Sequence, residues 1–172
     1  MIVQTRRNEF SRTRRLRASA SLRGLVRETL LDAASFVYPL FVVEGQGIRE
    51  PIESMPGQSR LSVDLLAAEA AELRALGIRA VILFGVPSQK DNEGSGAWAQ
   101  DGITQAAVMA LKEADPSLAV IADVCLCEYT DHGHCGPLDA HGSVDNDSAI
   151  ELLAQTSVSL VEAGVDMVAP SD

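Results

Sequence analysis

The stretch Ile78-Arg79-Ala80-Val81-Ile82-Leu83-Phe84-Gly85-Val86 decides the fold. It is short, rich in β-branched residues and apolar on both faces toward its end, the pattern of a strand buried in a parallel sheet. Upstream, Val63 to Leu76 is rich in Leu, Ala and Glu and stops at Gly77. This predicts a helix with Ser62 as its N-cap and Gly77 as a left-handed cap. Downstream, Pro87 to Gly102 is a polar loop holding Lys90, Asp91, Glu93, Gly94, Ser95 and Gly96. It is long for a strand-to-helix link, and long ordered loops are more often functional.

The same alternation runs along the chain in both directions. A helix is predicted over Ile103 to Ala114, stopped by Asp115-Pro116, then a buried strand from Leu118 to Leu126. Ser148 to Ala163 reads as a further helix capped by Gly164, and Val165 to Pro170 as a strand. Toward the N-terminus, Phe36 to Val43 reads as the first strand, closed by the turn-prone Glu44-Gly45-Gln46-Gly47. Pro39 is expected near that strand's start or on an edge, where no ladder donor is needed. Ile52 to Arg60, with Pro56-Gly57, reads as a loop, and Ser21 to Leu31 as a short amphipathic helix.

Strands alternating with helices define an α/β protein with a parallel sheet. Four such strands fit an open doubly wound sheet or half of an eight-stranded barrel. No glycine-rich phosphate fingerprint leads from the first strand into a helix, which favours the TIM-barrel reading. The loops after the second and third of these strands then fall on the C-terminal face, where barrels keep their active sites. A whole barrel of about 250 residues needs four further units, so the 172-residue chain is expected to be either a small open sheet or a fragment. Residues 1–34 are expected to form a basic arm with a short helix, and residues 35–172 the N-terminal half of a barrel.

Charge is unevenly placed. Up to Arg27 there are eight arginines against one acid, Glu9, a net of +7; the remainder carries six basic residues against 23 acids, a net of -17, and the two sum to -10. Three readings of the basic arm are open: an arm lying on an acidic neighbouring subunit, a mitochondrial-type presequence, and a nucleic-acid tail. Apart from Phe10 the arm lacks interleaved aromatics, which weighs against nucleic acid. The apolar fraction of 47% suits a globular chain. No apolar run approaches the roughly 20 residues of a membrane span, and no secretory signal pattern is visible. The default compartment is the cytosol.

The chemistry concentrates in Asp123-Val124-Cys125-Leu126-Cys127-Glu128-Tyr129-Thr130-Asp131-His132-Gly133-His134-Cys135-Gly136, which holds all three cysteines and two of the three histidines. On a strand, Asp123, Cys125 and Cys127 would project to one side, with Cys135 returning from the loop to meet them. Cysteines two apart on a strand are poorly placed for a mutual disulfide, and a soft divalent metal, zinc first, is the better reading. Three protein ligands leave an open position, as catalytic zinc sites do, unless His132 or His134 closes it. The histidines are read as shaping the loop or supporting the ligands. Asp123 is open between a general base and a salt-bridge partner. Three inert buried cysteines are the bland alternative.

This stretch, together with Tyr38 to Gly45, Ser54-Met55-Pro56-Gly57, Leu83 to Pro87 and Val168-Ala169-Pro170-Ser171-Asp172, resembles the porphobilinogen synthase (5-aminolevulinate dehydratase) family, in order from about Arg14 to the last residue. The resemblance implies a TIM barrel whose N-terminal arm embraces a neighbouring subunit, usually in a homo-octamer. It implies condensation of two 5-aminolevulinate molecules to porphobilinogen with release of two waters, in tetrapyrrole synthesis. It further implies the zinc-binding, cysteine-rich subclass, with Cys125, Cys127 and Cys135 as ligands; magnesium dependence occurs in part of the family. Asp123 matches an active-site aspartate near the metal, and Ser171 a residue lining the pocket. Asp131 departs from the serine expected before His-Gly-His. The family's two Schiff-base lysines lie on later strands, and Lys90 and Lys112, the two lysines here, match neither. The resemblance therefore implies an N-terminal portion, inactive alone, or else a non-catalytic zinc-binding or assembly module. No nucleic-acid or membrane partner is expected.

Overall fold

The computed structural model describes residues 14–171. Two compact units are present, Met1–Asp32 and Ala33–Asp172. Much of the basic arm, residues 1–13, lies outside the described residues. In the first unit Ser19 caps α1, Ala20–Leu25, its hydroxyl accepting from the Leu22 N–H at 3.2 Å. This helix is shorter than the expected Ser21 to Leu31. None of its residues is buried, so no packing offsets the cost of extending it past Gly24.

The second unit runs β1 (Val37–Val43), β2 (Arg49–Pro51), β3 (Ser59–Ser62), α2 (Leu66–Ala75), β4 (Ala80–Val86), α3 (Ile103–Ala114), β5 (Ala119–Val124), α4 (Asn146–Glu162) and β6 (Met167–Pro170). The sheet order is β2-β3-β1-β4-β5-β6, parallel throughout except for the antiparallel pair β2-β3. The four strands and three helices expected between residues 36 and 170 are all present.

Strands β2 and β3 were not expected. Both are short and polar, and β2 is exposed along its whole length, so neither carries an apolar signature. Residues Arg60 to Ser62 nevertheless pair in parallel with Phe41 to Val43 of β1. Since β3 reaches only that far, Pro39 sits opposite Ile82 of β4 with its other side off the β3 ladder, where a missing N–H costs nothing. Ser62 also differs from expectation. Its hydroxyl accepts from the Ile48 N–H at 2.9 Å instead of capping a helix, and a tight turn over Val63–Leu65 precedes α2. At the other end of α2, Gly77 adopts φ 83° and Ile78 N–H reaches back to Leu73 O at 3.0 Å, closing the helix as a left-handed glycine cap does.

Alternation along the strands divides the sheet into two faces. Leu40, Val42, Val81, Leu83, Val120, Ala122 and Val124 point to the helices and join Leu66, Leu73, Val108, Leu111 and Leu160 in one buried core. Each of these valines and leucines contributes about 1.5–3 kcal/mol by leaving water. The opposite face carries Phe41 and Phe84, stacked with ring centroids 5.2 Å apart, and ends at Asp123.

Candidate metal centre and active site

Strand β5 stops at Val124, two residues short of the expected end at Leu126. Cys125 lies just beyond the ladder and Cys127 lies in a turn, so the picture of Asp123, Cys125 and Cys127 on one strand face is corrected. The cause is local. Leu126 O accepts both the Tyr129 and Thr130 N–H groups at 2.9 Å, curling the chain into a single helical turn. That turn brings Cys127 back so that its N–H donates to Cys125 Sγ at 3.4 Å. The loop then returns Cys135, whose sulfur lies 3.2 Å from that of Cys127. All three sulfurs fall within 4.8 Å of one another, and no disulfide joins them.

Asp123 lies beside this group at the C-terminal end of β5, paired in register with Ala169 of β6. Burial raises its carboxyl above the usual carboxylate range, and a hydrogen bond from the Ser171 hydroxyl works against that rise. The backbone holds Ser171 in place, its N–H donating to Val124 O at 3.3 Å. Glu128, to which sequence reasoning gave no role, is also raised by burial, with Asp123 adding to the rise and the charge of Lys90 opposing it. The Cys127 thiol is pushed up by burial and by its hydrogen bonds to Cys135 and Cys125. Crowded thiols hold their protons this way until a cation replaces them. Three adjacent, partly buried sulfurs thus have the donor chemistry of a soft divalent ion.

The histidines serve the loop. His132 Nε2 lies 3.2 Å from Asn92 O, its Nδ1 receives the His134 N–H at 3.2 Å, and the two rings are 5.6 Å apart. Among the described residues, neither joins the cysteines in a ligand group.

A second segment pairs with the cysteine loop and supports it. Asp91 pairs with it through Asp91 N–H to Tyr129 O at 3.3 Å and Asp131 N–H to Asp91 O at 2.9 Å. The Asp91 carboxylate gathers the N–H groups of Glu93, Gly94 and Ser95 at 3.0, 2.6 and 3.0 Å, and the Ser95 hydroxyl as well. The pattern Asp91-Asn92-Glu93-Gly94-Ser95 is the sequence signal for such a turn. Buried Tyr129 is bonded to Thr104 at 2.7 Å, and its hydroxyl is pushed up to about 12 by burial. Gly85 makes room for that pair, since a Cβ there would overlap both oxygens. Nearby, a polar cavity of about 390 Å³ is lined by Glu44, Ser88, Lys90, Asp91, Ser95 and Asp101.

Lys112 lies at the other end of the sheet. Its ammonium bonds Asp166 at 2.9 Å and Leu118 O at 3.0 Å, both ahead of the strands that carry the site.

The family model described as delta-aminolevulinic acid dehydratase matches residues 10–172. The chain belongs to this dehydratase family. A delta-aminolevulinic acid dehydratase of Synechococcus elongatus is 54% identical over 163 residues, covering 93% of this chain and 50% of that protein. One from Halalkalibacterium halodurans is 51% identical over 163 residues, covering 95% of this chain and 49% of that protein. The crystal structure of delta-aminolevulinic acid dehydratase (porphobilinogen synthase) from Toxoplasma gondii, in complex with the reaction product porphobilinogen, superposes with a TM-score of 0.89 at 41% identity, covering 94% of this chain and 47% of that one. The fold is accordingly that of a TIM-barrel dehydratase, and the chain spans about half the length of the curated relatives it matches.

Proposed function

We propose that this chain provides the metal-binding wall of a porphobilinogen synthase. In this reading it holds zinc through Cys125, Cys127 and Cys135 and presents Asp123 and Ser171 to substrate. The condensation of two 5-aminolevulinate molecules to porphobilinogen, with loss of two waters, then requires the remaining half of the barrel. The observation that carries the reading is the convergence of three sulfurs, within 4.8 Å of one another, beside the Asp123 carboxyl. Thiolates are soft donors, which favours zinc over magnesium. When bound, the ion supplies a Lewis acid with an open position for a substrate amine, carbonyl or water.

The chain's own residues divide the remaining work. Asp123, its carboxyl raised by burial, stands at the end of β5 beside the sulfurs, where it can meet a substrate group. Ser171 orients that carboxyl. Leu126, fully buried with Ala97 and Tyr129, anchors the turn that carries the cysteines. Neither lysine matches the family's Schiff-base positions: Lys112 is engaged at the opposite end of the sheet, and Lys90 belongs to the loop after β4.

Two further elements of the reading concern assembly and location. The basic arm, residues 1–34, docks on the acidic body of a neighbouring subunit, as in the family's octamer, and removing the first 30 residues reduces the assembly's size in solution. Three thiols without a disulfide suit the reducing cytosol, and among the described residues no helix is long and apolar enough to cross a membrane.

The test is porphobilinogen formation by the purified chain, alone and mixed with a separately produced C-terminal half of the Synechococcus relative. Product is expected only from the mixture. Turnover by the chain alone would refute the division of labour.

A further inference from the structure

We infer that Asp123, Cys125 and Glu128 form a second divalent-cation position, sharing the Cys125 sulfur with the three-thiol site. This inference rests on the zinc reading above. One ligand atom from each of these residues falls within 4.8 Å of the other two, as in the three-cysteine group, and Cys125 is the residue common to both groups. Glu128 rides on the turn that Leu126 O pins through the Tyr129 and Thr130 N–H groups, so its backbone is fixed relative to Cys125. The Oε2 atom of Glu128 is buried and has no hydrogen-bond partner. A buried acceptor left in that state is costly, and a cation at this position would satisfy it.

The donor chemistry differs between the two positions. Three sulfurs make the first soft, while one sulfur and two carboxylates make the second a mixed set that zinc or cobalt(II) accepts. The two ions are therefore expected to fill in order, the thiol-rich position first. A thiolate shared between ions remains a donor to both, so no ligand of the first ion is lost when the second enters.

The experiment is a cobalt(II) titration of the full reduced chain under nitrogen, followed by absorption and by metal content after dialysis. The wild-type chain is expected to take two equivalents, the first bringing sulfur-to-cobalt charge-transfer absorption and the second a further change in the ligand-field bands. Glu128→Gln is expected to keep the first equivalent with its charge-transfer band and to bind the second about 10- to 100-fold more weakly, the loss seen when a metal site is deprived of a supporting group. Asp123→Asn is expected to do the same, and it replaces Glu128→Gln should that variant lose its far-UV circular dichroism. A single equivalent in the wild-type chain, or a second equivalent equally tight in both variants, overturns the inference. Absence of charge-transfer absorption at the first equivalent is a separate result and overturns the three-thiol reading itself.

Discussion

At the scale of single residues, Asp123 and Gly85 show how position decides behaviour. Burial raises the Asp123 carboxyl, and the Ser171 hydroxyl restrains it. Ser171→Ala should move the Asp123 midpoint further up, measured by carbon-13 NMR of the labelled carboxyl in the metal-free chain. Stability follows with a definite sign. A carboxyl raised in the folded state binds its proton more tightly there than in the unfolded chain, so stability falls as pH rises from the ordinary carboxylate range through the raised value. Asp123→Asn should flatten that fall in urea midpoints taken across the range. At Gly85, any side chain meets the bonded Thr104 and Tyr129 oxygens. Gly85→Ala should cost about 1–3 kcal/mol, the range for overpacking, read from urea unfolding. Unchanged stability there would mean that the pair can move aside.

The element that shapes the site is the loop between β4 and α3. Its length marked it as functional, and the structure gives the physical content: Asp91 organises the loop through three backbone N–H groups and then pairs with the cysteine loop. These bonds hold the Asp91 carboxyl below its usual range, the Ser95 hydroxyl first among them. Its contribution to stability is therefore present above the ordinary carboxylate range and lost as pH falls through the lowered value. Asp91→Ala should cost about 1–2 kcal/mol, as loss of a capping carboxylate does, and should weaken zinc binding because the cysteine loop loses its support. Isothermal titration of zinc into both proteins checks this, and equal affinities would detach the loop from the site.

Much of the element order was legible because buried parallel strands and capped helices leave strong marks, as Val81 to Val86 and the Gly77 cap do. The polar β2 and β3 leave none, because their pairing is set by β1 rather than by their own pattern. The end of β5 was misplaced for a related reason. Leu126 is apolar and fully buried, so composition extends the strand, while the backbone bonds at Leu126 O turn it away. The cysteines were recognised from their clustering. Glu128 was passed over, since its burial depends on the turn that the sequence pattern concealed.

In the larger unit, Ala33–Asp172, the helices α2, α3 and α4 cover one face of the sheet, and the loops at the C-terminal ends of β4 and β5 gather the sulfurs, the carboxyls and the cavity. Belonging to the dehydratase family over about half its relatives' length fits a chain that carries one side of a larger site. X-ray absorption at the zinc edge of the reduced chain, loaded with a single equivalent, reads the three-thiol zinc centre itself. Three sulfur neighbours at about 2.3 Å with one lighter atom are expected, and a loss of sulfur scattering in Cys127→Ser. A first shell of oxygen and nitrogen alone would contradict it.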